Sequence, residues 1–225
     1  PIYKSDFVEH MEKMSSENQY WLEDEYSSLR HVGRDQRITA AHLSVNSSKN
    51  RYTNILPCKY DHSRVELHPL EEDENSDYIN ANYIPGYRFE REFIATQGPV
   101  PFTVPDFWRM VWEQNSRVIV MLTQCWERGK AKCERYWPED EEPVFYGDIV
   151  VKMLSENKED DWTCREFELA NVSINLSHSR CVRQYQFTSW PDHGVPEDTK
   201  ASLEFVRMVR RNVGEGAGPA VIHCR

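Results

Sequence analysis

A chain of 225 residues, 39% hydrophobic and 28% charged, is long enough to bury a substantial core and has the makeup of a globular protein that lives in water. Its net charge of −10 argues against a nucleic-acid binder, which needs a basic face, but not against an anionic substrate, because a pocket can be locally positive on an acidic body. No run approaches the ~18 apolar residues of a membrane span, and nothing near the start reads as a signal segment.

The first 48 residues read as a helical lead-in packed on the domain. Ser5-Asp6 is expected to cap a helix reaching Met14, and Ser15-Ser16 a second one that carries Tyr20-Trp21, Tyr26 and Leu29 at near-helical spacing. Residues 30–50 are mixed and polar, with Gly33 and Ser47-Ser48-Lys49-Asn50 marking loop. After Pro57, strands are expected over 65–67, 78–83 and 93–95, with an acidic loop over 71–77 and a Pro85-Gly86 turn. Thr103 to Pro105 opens a helix with Phe107, Trp108, Val111 and Trp112 on one broad face, ending near Asn115. Val118-Ile119-Val120-Met121-Leu122 is a continuous apolar run, the mark of a strand covered on both faces. Further strands are expected over 149–153, 162–169 and 181–187. A helix over 200–211 should turn Leu203, Val206 and Val209 or Met208 inward, with its basic residues toward the C-terminal end as the dipole prefers. The glycine-rich stretch 214–219 breaks it, and Ala220-Val221-Ile222 is a final strand. The pattern predicts a single α/β (α+β) domain with a highly twisted, mixed β-sheet flanked by helices.

The six cysteines, at 58, 125, 133, 164, 181 and 224, form no C-x-x-C pair and no zinc-like spacing with the eight histidines. No metal and no cofactor are expected, and reduced thiols in a cytosolic setting are. Asn-x-Ser sequons at Asn46, Asn171 and Asn175 are read as chance.

The chemistry concentrates in two places. The final apolar run delivers His223 and then Cys224, where a strand ending in a loop can surround the sulfur with backbone N–H groups that lower a thiol pKa and bind an anion. Earlier, Trp190-Pro191-Asp192-His193-Gly194 joins a rigid residue, a carboxylic acid and a glycine hinge, which suits a loop that closes over substrate. Read bare, Cys224 is equally a small core hydrophobe and Pro-Asp-x-Gly a common turn. A thiolate with a mobile acid is the minimum set for a double displacement.

Seven ordered blocks then resemble the classical protein tyrosine phosphatases. Lys49-Asn50-Arg51-Tyr52 is similar to that family's phosphotyrosine-recognition loop, and Asp77-Tyr78-Ile79-Asn80-Ala81-Asn82 to its D-Y-I-N-A strand. Phe93-Ile94-Ala95-Thr96-Gln97-Gly98-Pro99, Asp106-Phe107-Trp108-Arg109-Met110 and Lys132-Cys133-Glu134-Arg135-Tyr136-Trp137-Pro138 resemble its core segment, its following helix and its K-C-x-x-Y-W-P block. Trp190-Pro191-Asp192 resembles the mobile acid loop and His223-Cys224 the start of H-C-x₅-R. The two-helix start, Asn54 and His193 look most like the membrane-proximal catalytic domain of a receptor-type member.

The resemblance implies a protein-tyrosine phosphatase that works through a cysteinyl-phosphate, with phosphotyrosine-containing proteins as partners. Its setting would be cytoplasmic, as the intracellular part of a plasma-membrane receptor, with no membrane contact by this segment itself. Cys224 would be the nucleophile and Asp192 the general acid, then the base. Tyr52 would stack on the substrate ring and set pocket depth, with Arg51 beside it. Asn54 would bind the substrate backbone where most members carry an aspartate, and so lack a charge-assisted bond. Trp190, Pro191, His223, Glu127, Arg128 and Lys132 would support the site, Glu127 by orienting a phosphate-binding arginine; read bare, 126–132 is a charged hairpin. Arg225 follows Cys224 at once, so it is not the arginine found five residues further on in the family pattern. Residues 49–225 are therefore expected to be an incomplete catalytic domain lacking the C-terminal helices. The alternative function is a catalytically inactive, truncated phosphatase acting as a phosphotyrosine-binding or regulatory module.

Overall fold

Val118-Ile119-Val120-Met121 is buried at all four positions, which a strand achieves only with both faces covered. The computed structural model describes residues 2–16, 19–33, 38–57, 63–71, 73–174, 178–191, 194–196, 198–213 and 218–225. In chain order the elements are α1 (Phe7–Ser15), α2 (Tyr20–Ser28), α3 (Thr39–His42), β1 (Arg64–Glu66), β2 (Tyr78–Ile84), β3 (Phe93–Thr96), α4 (Val104–Glu113), β4 (Val118–Met121), β5 (Trp126–Glu127) and β6 (Lys130–Ala131). There follow β7 (Val144–Tyr146), β8 (Ile149–Lys158), β9 (Trp162–Asn171), β10 (Arg180–Phe187), α5 (Lys200–Asn212) and β11 (Ala220–His223). The chain divides into two units, Pro1–Arg37 and Ile38–Arg225.

In the first unit α1 and α2 bury no residue. The expected caps do not form. Asp6 stands at the N-cap of α1, but its carboxylate accepts the Ser5 hydroxyl at 2.6 Å instead of capping the backbone. Ser15 ends α1, and Ser16 turns its hydroxyl back to the Lys13 carbonyl at 2.6 Å, so this pair closes one helix and does not open the next.

Nine strands of the second unit form one mixed sheet in the order β1-β2-β3-β11-β4-β10-β9-β8-β7. The four central strands, β3, β11, β4 and β10, run parallel, and both flanks are antiparallel. Alternate side chains divide between two cores, as the two-residue strand period requires. Ile119, Met121, Val182 and Val221 join α4 and its Phe107, Trp108 and Val111. Val118, Val120, Tyr185, Phe187 and Ala220 join Phe205 and Val209 of α5. Helix α4 opens with Pro105 and Asp106 in its first turn and closes before Asn115, which sits in the left-handed region at φ 53. Its Trp108, fully buried, donates from Nε1 to the Tyr136 carbonyl at 2.7 Å.

Three departures from expectation have physical causes. Residues 39–42 and 44–49 are helical, not loop: α3 and a 3-10 segment, Ser44–Lys49, form because the amides of Asn46 and Asn50 supply donors to the Ala40, Ala41 and Asn46 carbonyls. That leaves Asn46 only 1% exposed, a structural residue. In α5 the inward face is Phe205 and Val209, not Leu203 and Val206, which stand half exposed. Phe205 decides the rotation, because its ring meets Phe187 at 5.1 Å and Trp162 at 6.1 Å. Strands β8 and β9 run on to Lys158 and from Trp162, since their ladder closes backbone groups however polar the side chains are.

Candidate active site

Four of the residues singled out from sequence, Cys224, Trp190, Pro191 and Glu127, line one cavity where parallel strands end. The crevice outside the carboxyl ends of such strands is the usual ligand position in open α/β sheets. Here β11 ends at His223 and hands on Cys224, β4 leads to Leu122 and Thr123, β10 leads to Trp190 and Pro191, and β3 leads to Gln97 and Gly98. A cavity of about 290 Å³ is lined by Leu122, Thr123, Glu127, Trp190, Pro191, Gly194, Cys224 and Arg225. Asp192 and His193 lie outside the described residues. On their far side Gly194 has φ 84, a conformation that suits glycine, with nothing within 4 Å of an added Cβ.

Cys224 is exposed in this cavity. Behind it His223 is 2% exposed. Its Nδ1 lies 3.0 Å from the Cys224 carbonyl, which only accepts, so Nδ1 carries the proton. Nε2 is then an acceptor, and the Tyr136 hydroxyl donates to it at 2.8 Å. Tyr136 in turn accepts from Gln184 Nε2 at 2.6 Å, and Gln184 Oε1 accepts from Arg165 Nη1 at 2.8 Å. Arg165 is itself held by Glu156 at 2.7 Å and Gln186 at 2.9 Å, over the ring of Trp137 at 4.5 Å. Every polar atom along this buried chain has a stated direction. Burial lowers the pKa of His223 to about 4, against the carbonyl bond that raises it, so the ring is neutral. Burial also pushes the Tyr136 hydroxyl far up, which keeps it a donor.

Glu127, Arg128 and Lys132 fall on a two-stranded hairpin, β5–β6, as the bare sequence suggested. Its two loop residues, Arg128 and Gly129, both have positive φ (50 and 73), the signature of a tight I′ turn. Glu127 accepts from Thr123 Oγ1 at 3.0 Å and the Gln124 N–H at 3.1 Å, and lies 3.7 Å from the Lys132 ammonium. Next to this hairpin Gln124 Nε2 donates to the Thr188 carbonyl at 3.0 Å, which ties down the segment leading to Trp190.

Arg51, Tyr52 and Asn54 are not among the cavity-lining residues. Tyr52 is 39% exposed and Asn54 exposed. The Arg51 guanidinium is committed to the carbonyls of Gly98 (3.1 Å) and Pro99 (2.6 Å), which makes it a brace for its own loop. Sequence reasoning passed over Tyr136, Gln184, Arg165 and Gln97. Tyr136 and Gln97 had position within a recognisable block as their only signal and Gln184 and Arg165 had none, since each meets its partners through pairing distant in sequence.

The family model for protein-tyrosine phosphatase matches residues 46–225. Among curated proteins the chain is 46% identical to human receptor-type tyrosine-protein phosphatase H over 225 residues, covering 99% of this chain and 20% of that protein. It is 44% identical to human phosphatidylinositol phosphatase PTPRQ (100% of this chain, 9% of that protein) and 45% to human receptor-type tyrosine-protein phosphatase eta (99% and 16%). The chain thus spans a fifth or less of the length of these relatives. A family match over residues 46–225, which hold the whole nine-stranded sheet, places the chain in the protein-tyrosine phosphatase family.

Proposed function

We propose that the site hydrolyses phosphotyrosine in proteins through a cysteinyl-phosphate. The observation that carries the reading is the delivery of Cys224 by a central parallel strand into a cavity that Trp190 and Pro191 also line. The Cys224 thiolate attacks phosphorus as the bond to the phenolic oxygen breaks, and Asp192 gives its proton to that oxygen. Water then attacks phosphorus, Asp192 takes the water's proton, and the S–P bond breaks to release phosphate and the thiolate. His223 fixes the Cys224 main chain, Tyr52 stacks on the ring, and Asn54 meets the peptide. Glu127, Lys132 and Arg128 frame the phosphate side. The catalytic region runs from Lys49, residues 1–48 being its lead-in, and acts on the cytoplasmic side as part of a receptor.

In the full-length protein, Cys224→Ser should abolish release of phosphate from a phosphotyrosine peptide, and Asp192→Ala should lower kcat by about 10²–10⁴. Unchanged kinetics in Asp192→Ala would sink the mechanism. The alternative reading is a catalytically inactive phosphatase acting as a phosphotyrosine-binding or regulatory module, and vanadate-sensitive hydrolysis of p-nitrophenyl phosphate by the 225-residue polypeptide would exclude it. A second substrate class, phosphoinositides, is favoured by Asn54, whose amide lacks a charge that would repel a polyphosphorylated headgroup. Parallel assays on a phosphotyrosine peptide and on phosphoinositide vesicles decide between them.

A further inference from the structure

The loop that carries Tyr52 has no regular structure between Asn50 and Pro57, yet its backbone is fastened at three places. Gln97, the first residue after β3, uses its side-chain amide as a surrogate peptide. Its Oε1 accepts from the Arg51 N–H at 2.9 Å, and its Nε2 donates to the Lys49 carbonyl at 2.8 Å, so the two bonds straddle Asn50. Asn80 of β2 holds the Ile55 carbonyl at 2.9 Å, and Arg51 returns to the Gly98 and Pro99 carbonyls. Gly98 has the nucleophile on its other side. A Cβ there would stand 2.7 Å from the Cys224 carbonyl oxygen and 3.0 Å from Cys133 Sγ. Residues 97–99 are therefore a spacer with the recognition loop on one side and the main chain of Cys224 on the other.

We propose that Gln97 is a positioning residue that sets the separation between Tyr52 and Cys224, and with it the preference for phosphotyrosine over the shorter phosphoserine. The assignment rests on the roles proposed above for those two residues. Both bonds are needed. With the acceptor alone, Arg51 is held but the Lys49 carbonyl is not, and the loop can slide along the strand end. The side-chain hydrogen bonds of Gln97 run to Arg51 and Lys49 and not to the sulfur's own seat, built from β11, His223 and Tyr136.

The test uses Gln97→Ala and the volume-conserving Gln97→Glu in the full-length protein, assayed on a phosphotyrosine peptide, its phosphoserine counterpart and vanadate. The expected result is a KM for phosphotyrosine raised about 10-fold with kcat within about 3-fold, a split that marks lost positioning of substrate. The phosphotyrosine-to-phosphoserine ratio of kcat/KM falls by a similar factor, while the vanadate inhibition constant stays put. Gln97→Glu keeps the acceptor, loses the donor and sets a carboxylate against a carbonyl, so it should move the same way. An unchanged ratio in either folded variant, or a vanadate affinity that falls in step with substrate affinity, overturns the proposal. If the unaltered protein fails to hydrolyse phosphotyrosine at all, the reading of the site fails first and takes this assignment with it.

Discussion

The seat of Cys224 and the loop that carries Tyr52 are held by opposite means. β11 has a ladder on both sides, and His223 behind it is locked by a chain of buried polar atoms ending at Arg165. The loop from Arg51 to Pro57 has no ladder, and side-chain amides from the sheet tether an otherwise exposed backbone. On the proposed function the sulfur has to be fixed, and its seat lies where a small shift is costly, whereas the exposed loop can change residues without disturbing the core.

Breaking the seat should therefore cost stability first. Arg165→Ala removes the shared partner of Gln184, Gln186 and Glu156 and strands buried acceptors. About 3–5 kcal/mol of unfolding free energy should disappear in urea titration. A loss under about 1 kcal/mol would show that the chain of bonds is incidental to the fold.

A pH experiment reads the same seat through His223. Its folded pKa, about 4, lies below the 6.5 of an exposed ring. Between those values the unfolded chain binds a proton that the folded chain refuses, so stability is full above about pH 6.5 and drains away as pH falls toward 4. The shift is worth roughly 3 kcal/mol at most. His223→Asn should flatten that part of the pH–stability curve, even though it lowers stability at pH 7. Next in size, Tyr136→Phe leaves His223 Nε2 and one Gln184 donor unmet and should cost about 1–3 kcal/mol.

The contrast also explains what could be read from the chain alone. The apolar run of β4, the broad face of α4 and the order of the phosphatase-like blocks are local patterns, and they marked the sheet's centre and the strand that ends at Cys224. Tyr136 and His223 are 87 positions apart, and Arg165 and Gln184 meet only because β9 and β10 pair in one register. No periodicity carries such pairings. Helix α5 shows the same limit: Leu203 and Val206 fit an inward stripe as well as Phe205 does, and only the aromatic neighbours supplied by β9 and β10 select the rotation. Caps failed for a related reason, since Ser5 and Asp6 had each other as partners.

The smallest expected effect lies on the rim, at Asn54. It is exposed and outside both cores, so Asn54→Asp should leave stability within about 0.5 kcal/mol. A carboxylate there would accept backbone N–H bonds from a bound peptide with the added strength of a charged acceptor. The gain over an amide is about 1 kcal/mol, so KM for a phosphotyrosine peptide should fall about 5-fold with kcat unchanged. An aryl phosphate without a peptide has nothing for residue 54 to hold, so its KM should not move. If both substrates improve together, residue 54 acts through the pocket and not through the peptide, and the division between a rigid seat and an adjustable rim does not hold at this position.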